Sequence, residues 1–329
     1  MSEKAAFPLF RTPVEVGKPL RAIGLYDRNV FVGSCFAEHI GRQFATNRLR
    51  ALVNPLGVMY NPLSIARLFR TEQSDSSRAY IYNKGMWHTW LGDSSLSRLT
   101  FEECQSATDE ALRQLHEALF QADNLFLTLG TSRCYVYRPT YEHVANCHQM
   151  PGADFVEVEL KVEEIVDELR AVLEQLHRQN PRLQVVFTVS PFRYQKYGMH
   201  ESQLSKARLL LGIETLCAAF PEWVSYFPAY EIVMDELRDY RYYADDMLHP
   251  SDAAVRYIWQ RLSEAWMADD TRRWLERWQP VRQALEHRPL HPESPAYEAF
   301  RQQTQKLLEC LRHDYPLIEI KNEELRMKN

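Results

Sequence analysis

Glycine is scarce in this chain. There are 11 in 329 residues, about half the usual share of ~7%, so each is expected where the backbone has a specific need for it. Cysteines at redox or metal spacing are missing as well. Cys35, Cys104, Cys134, Cys147, Cys217 and Cys310 contain no C-x-x-C pair, which favours reduced thiols over a disulfide framework. The 39 Lys and Arg residues form no long basic run, and a formal charge of −5 offers nucleic acid no general attraction. No apolar run approaches the ~20 residues of a membrane span. Met1 to Pro8 lacks a charged segment followed by an apolar one, so a cytoplasmic protein with neither signal peptide nor membrane partner is expected.

What is present is ordinary for a globular protein: 45% hydrophobic and 25% charged residues. The length suits one large α/β domain with additions, or two units, and a core that needs no staples. Short apolar runs alternate with helical periodicity. Strands are expected over 29–32, 49–53, 124–129, 183–189 and 223–227, with a short extra strand over 134–137. Helices are expected over 35–45, 62–69, 101–121, 162–176, 203–219 and 233–240, and from Ser251, a good N-cap, to about 267. Residues 71–100, which include Gly85-Met86-Trp87-His88-Thr89-Trp90, read as an irregular or hairpin insertion, and residues 146–152 as loop. Five buried strands with intervening helices predict a three-layer α/β/α sandwich around a parallel sheet of the flavodoxin-like kind. Ligands then bind beyond the carboxyl ends of the strands. After residue 268 the alternation stops. The expected division is a catalytic domain over 1–267 and a helical extension over 268–329, which ends in a Lys/Glu-rich tail from Lys321. That extension either packs back on the domain or forms a homodimer contact.

Two places could carry chemistry. Ser34 follows a strand at a helix N-terminus, where backbone N–H groups and the helix dipole favour negative charge. The bland reading is that it caps the helix. Asp246-x-x-His249 lies in the loop before the capped helix. Its spacing lets the carboxylate hold one imidazole nitrogen while the other faces a hydroxyl, the logic of a hydrolytic triad. Cys35 and His39 share one helical face and offer a second pair, as Cys–His or as two metal ligands, but spacing places no third ligand. No metal or other cofactor is expected. Arg193, after Ser190-Pro191, suits an anionic or hydroxyl-rich substrate or a structural pair with Asp245 or Glu231. His88, between aromatic residues, suits either a sugar-stacking mouth or a packed hairpin.

Gly33-Ser34-Cys35-Phe36-Ala37 resembles the motif that names the GSCFA family, within the SGNH/GDSL-type hydrolase superfamily. The likeness continues through Asn54-Pro55-Leu56-Gly57, Leu129-Gly130-Thr131, Asn146-Cys147-His148, Ser190-Pro191-Phe192-Arg193, Ser205-Lys206-Ala207 and Tyr230-Glu231-Ile232. It runs on to Arg238-Asp239-Tyr240 and closes at Asp246-Met247-Leu248-His249-Pro250-Ser251. It implies strand order 2-1-3-4-5, with Ser34 as nucleophile, His249 as general base and then acid, and Asp246 as its orienter. It also implies an oxyanion held by the N–H of Ser34, the N–H of Gly57 and an asparagine amide. After its third strand the superfamily carries Gly-x-Asn-Asp, whereas this chain reads Gly130-Thr131-Ser132-Arg133. Asn146 is the candidate to replace the missing amide, and Gly130, Thr131, Arg193 and His88 are the expected substrate contacts. The implied activity is hydrolysis of a carboxylic ester, such as an O-acyl group on a carbohydrate. An O-acyltransferase using the same intermediate, and a non-catalytic binding protein that keeps the fold, are the alternatives.

Overall fold

The computed structural model describes residues 11–70 and 76–320. Met1 to Pro8, the first five residues of the expected 71–100 insertion and the tail from Lys321 lie outside them. Five parallel strands make the central sheet: β1 (Asn29–Gly33), β2 (Ala51–Val53), β5 (Asn124–Leu129), β9 (Gln184–Val189) and β10 (Val224–Tyr226), in the order β10-β9-β5-β1-β2. This is the expected 2-1-3-4-5 arrangement. The register aligns Asn29 with Ala51 on one side and Asn124 on the other, and Asn124 with Gln184.

Because side chains alternate along a strand, each central strand feeds both faces. Val30, Val32, Leu125, Leu127 and Leu129 join the core under α2 (Pro62–Phe69), α3 (Phe101–Gln121), α4 (Val162–Gln179) and α5 (Met199–Ala219). Phe31, Phe126 and Val186 join the opposite core under α1 (Cys35–Thr46) and α7 (Asp252–Trp266). There the Phe31 and Phe126 rings stack with centroids 4.5 Å apart. Between β10 and α7 lie the short α6 (Ala229–Glu231) and a single π turn, Ile232–Glu236.

The last two helices, α8 (Asp269–Glu286) and α9 (Pro295–Asp314), complete that second core with Trp274, Trp278, Val281, Leu308 and Leu311. The final carbonyls of a helix lack intrahelical donors. Here the Trp278 indole donates to Thr46 O at 3.0 Å and the Trp274 indole to Asn47 O at 2.8 Å, finishing the C-terminus of α1.

Two small antiparallel sheets decorate the sandwich. The hairpin β3 (Tyr80–Asn83) and β4 (Met86–Thr89) fills most of the aromatic insertion. The segment expected as one extra strand belongs to a three-stranded sheet, β7-β6-β8, built from β6 (Arg133–Tyr137), β7 (Glu142–Val144) and β8 (Phe155–Glu159). Helix α5 starts at Met199, four residues before its expected start. Gly198, at φ +82°, makes the turn that lets the helix begin there. All six cysteines are free thiols. No helix among the described residues is long and apolar enough to cross a membrane.

Candidate active site

The carboxyl ends of β1, β5 and β9 meet at one edge of the sheet. Gly33 ends β1 at φ +143°, and a Cβ there would sit 2.2 Å from Thr128 O, so β1 and β5 close up only because this residue is glycine. Ser34 follows, extended at φ −67° and ψ 174°. It serves as the N-cap of α1, with its Oγ accepting from Phe36 N–H at 3.2 Å. Ser34 is 1% exposed, and its own N–H donates to Thr128 O at 3.1 Å. Cys35, the first residue of α1, is only half-buried. Its sulfur is faced by the N–H groups of Cys35 and Phe36. Burial pushes this thiol up, while those two N–H groups and the more distant Lys206 cation pull it down; burial prevails.

The loop before α7 supplies the second part. Asp246 Oδ1 accepts from the N–H groups of Leu248 and His249, each at 2.9 Å, and Oδ2 meets His249 Nδ1 at 2.5 Å. The His249 side chain, and then those N–H groups, hold the Asp246 carboxyl down at about 2. With Nδ1 taken, Nε2 is the imidazole nitrogen left for proton transfer. Phe192 supports the ring at a centroid distance of 4.2 Å, and Arg193 N–H donates to Leu248 O at 3.2 Å, tying this loop to the end of β9. The His39 imidazole, one turn along α1 from Cys35, lies within electrostatic reach of both His249 and Asp252. Burial lowers it, and the neighbouring Arg42 lowers it further. His39 therefore faces the side of the molecule that carries the dyad. No three His, Cys, Asp or Glu side chains among the described residues are grouped to hold a metal.

The expected oxyanion donors sit as follows. Gly57, at φ +84°, donates its N–H to Asn54 O at 2.8 Å. The Oδ1 of Asn146 accepts from His148 N–H at 2.8 Å in a local turn. With the Ser34 N–H on Thr128 O, two of the three expected donors are committed to backbone carbonyls. Asn54, which the sequence does not single out, lies at the same turn. Its Oδ1 accepts from Gly33 N–H at 2.9 Å, directly beside the β1–α1 turn, while its Nδ2 is buried with no acceptor. Only its position after β2 in the Asn54-Pro55-Leu56-Gly57 segment could have flagged it.

Among the expected substrate contacts, Gly130 and Thr131 both donate backbone N–H groups to Tyr60 O, at 2.7 and 3.0 Å. Thr131 Oγ1 meets Ser205 Oγ at 3.1 Å. Lys206, fully buried beneath them, donates to Gly130 O at 2.5 Å and to Ser190 O at 2.8 Å, clasping the ends of β5 and β9. Burial pulls its ammonium down to about 7. His88 packs inside the hairpin. Its nitrogens meet Ser97 Oγ at 2.6 Å and Asn83 O at 3.2 Å, and its ring stacks on His148, which burial lowers to about 4. Arg193 has neither of the partners considered for it. Its guanidinium reaches the Met234 sulfur at 3.2 Å and the Met199 sulfur at 4.0 Å, and Glu231 instead accepts from the Tyr226 hydroxyl. Arg193, Met199 and Met234, with Asp239, Tyr240, Tyr243 and Met247, line a cavity of about 340 Å³ adjoining the dyad loop.

The GSCFA family model matches residues 28–262, and the model of the GSCFA domain protein C-terminal domain matches residues 278–328. No curated protein matches the sequence. Two solved structures are similar to parts of it. One is an acetyl xylan esterase from the rumen bacterium Butyrivibrio proteoclasticus, with a TM-score of 0.38 and 12% identity over 74% of this chain. The match spans 65% of that esterase's length. The other is a candidate GDSL-like lipase from Parabacteroides merdae, with a TM-score of 0.30 and 16% identity over 74% of this chain and 98% of that one.

Proposed function

The chain belongs to the GSCFA family, and from that premise we propose that it hydrolyses a carboxylic ester through an acyl-enzyme intermediate. The observation that carries this reading is the Asp246–His249 pair, a carboxylate anchored by two backbone N–H groups and bonded to Nδ1 at 2.5 Å. An imidazole oriented in this way presents Nε2 as a general base. Nε2 takes the proton of a nucleophile at the β1–α1 turn, which offers the Ser34 hydroxyl and the Cys35 thiol. The nucleophile adds to the ester carbonyl. His249 then returns the proton to the leaving alcohol, and a water activated by the same nitrogen releases the acid.

The leaving alcohol lies toward the cavity at Arg193, whose guanidinium is paired with no carboxylate among the described residues. Such a group suits an anionic or hydroxyl-rich alcohol. An O-acyl carbohydrate is the form the superfamily resemblance favours, and transfer of the acyl group to another hydroxyl uses the same steps. Ser34 and Gly57 could act as oxyanion donors only by releasing Thr128 O and Asn54 O. That commitment is what favours the competing reading, a binding protein without catalysis.

The test is turnover of p-nitrophenyl esters of increasing acyl length by wild type and His249→Ala. A hydrolase loses about 10³-fold or more in the variant. Equal and negligible rates in both proteins would leave the binding reading in place.

A further inference from the structure

The β1–α1 turn holds two adjacent nucleophilic side chains, and the fold treats them differently. Ser34 is 1% exposed, its Oγ caps α1 and its N–H closes β1 against β5. For its hydroxyl to attack an ester, the helix would lose its cap and a substrate would have to reach a buried oxygen. Cys35 has neither constraint. It is the first residue of α1 and partly exposed, and the backbone N–H groups of Cys35 and Phe36 favour negative charge on its sulfur.

The surroundings single out the same atom. The hydroxyls of Tyr60 and Tyr194 and the Lys206 ammonium all lie within electrostatic reach of the Cys35 sulfur. Tyr194 packs edge-on against Phe192, the ring that supports His249. Beside the turn, the amide of Asn54 is pinned through Oδ1 by Gly33 N–H and keeps Nδ2 as a buried donor with no acceptor. Ser190, 1% exposed at the end of β9, likewise keeps an Oγ without a partner. A buried donor lacking an acceptor is costly unless something binds there, and a developing oxyanion is such an acceptor.

We propose that the acyl group is taken up by the Cys35 thiol, with Asn54 Nδ2 and the Cys35 N–H holding the oxyanion and Ser34 acting as the cap that fixes the turn. The inference rests on the hydrolase reading above. The sulfur–carbon bond forms as the thiol proton passes to His249 Nε2. The carbon–oxygen bond to the alcohol breaks as that proton passes to the leaving oxygen, which gives a thioester. Water, losing a proton to His249, then adds to the thioester carbonyl, and the thiolate leaves and is reprotonated. No oxidant or reductant enters. Burial keeps the thiol protonated at rest, so deprotonation by His249 belongs to the catalytic cycle rather than to a standing ion pair.

The experiment compares wild type, Ser34→Ala, Cys35→Ala and Cys35→Ser in p-nitrophenyl acetate turnover. Acid-quenched protein is mapped for its acetyl group, before and after neutral hydroxylamine, which cleaves thioesters far faster than oxygen esters. Melting curves check that each variant is folded. The expected result is a hydroxylamine-labile acetyl on residue 35, loss of about 10³-fold or more in Cys35→Ala, and a decrease of less than tenfold in Ser34→Ala. Asn54→Ala should lose about 10²-fold or more in turnover while keeping the adduct site. A hydroxylamine-stable acetyl on Ser34, with Cys35→Ala still active, would overturn the inference and keep the hydrolase reading. Absence of both turnover and adduct in folded wild type across acyl lengths would overturn both.

Discussion

Lys206 is a cation that the fold has taken out of water. Its Nζ bridges the carbonyls of Gly130 and Ser190 at 2.5 and 2.8 Å, and burial brings its ionisation down from 10.5 to about 7. A neutral amine has two N–H groups, and the two carbonyls use both. At about 1.36 kcal/mol per pH unit, a displacement of that size corresponds to roughly 5 kcal/mol of strain in the protonated form. Between pH 7 and 10.5 the unfolded chain binds a proton at this lysine that the folded chain does not. Unfolding free energy therefore rises with pH through that window, by about 1.4 kcal/mol per unit.

Lys206→Met removes both effects. Above pH 9 the variant should be less stable than wild type by about 2–4 kcal/mol, because two buried carbonyls lose their donor. Toward pH 7 the gap should close or reverse, because the unfolded wild-type chain is increasingly stabilised by a proton that its folded form does not bind. Urea unfolding of both proteins at pH 7, 8 and 9.5 measures this, with Cys35 and Arg193, the other groups acting on Lys206, unchanged in both. Parallel stability curves across that range would refute the argument.

Two further outcomes are expected. Glu236, its side chain fully buried, accepts from Val14 N–H at 3.1 Å and pairs with Arg261 at 2.6 Å, with Tyr257 and Arg11 alongside. Burial acts to raise its carboxyl, but these partners outweigh it and hold the group low, so its contribution is complete above the ordinary glutamate range and fades as pH falls through the lowered value. Glu236→Gln should cost about 3–5 kcal/mol near neutrality and flatten the acid side of the melting-temperature profile; an unchanged acid slope would contradict this. Gly57→Ala places a Cβ 2.0 Å from Asp93 Cγ at φ +84°, whereas Gly85→Ala, at φ +83°, meets nothing within 4 Å. Urea midpoints should show a loss of about 1 kcal/mol at Gly85 and at least ~2 kcal/mol more at Gly57.

The sandwich was legible because strands buried on both faces are contiguous apolar runs, as in Val30-Phe31-Val32 and Leu125-Phe126-Leu127. Helix ends were legible where a cap was explicit, as at Ser251, whose Oγ accepts from Ala254 N–H at 3.3 Å. Strand β8 was not, since Phe-Val-Glu-Val-Glu is short and half-exposed and reads as loop beside the strong runs. The start of α5 was obscured for a different reason. Its inner face carries Ser202, Ser205 and Lys206 under the strand ends, so the apolar periodicity that marks a helix is absent where the helix is most buried. In the site, the three-residue spacing of Asp246 and His249 was readable because it is local. The contrast between Ser34 and Cys35 depends on which side chain the helix start turns inward, and the two adjacent letters carry no sign of it. His88 was misleading in a similar way, since its aromatic neighbours suit a packed interior as well as a binding mouth.

The indoles that finish α1 are made 227 and 232 residues after the carbonyls they cap. On a ribosome the chain emerges N-terminus first, so β1, α1 and β2 exist for most of synthesis with that helix end open and the Phe31–Phe44–Phe126 cluster without the α7 and α8 residues that complete its core. The opposite core, drawn almost wholly from residues before 231, can close first. This order makes the Phe31 face the last to be covered, and the nascent protein is most prone to stick to its neighbours until Trp278 has left the exit tunnel.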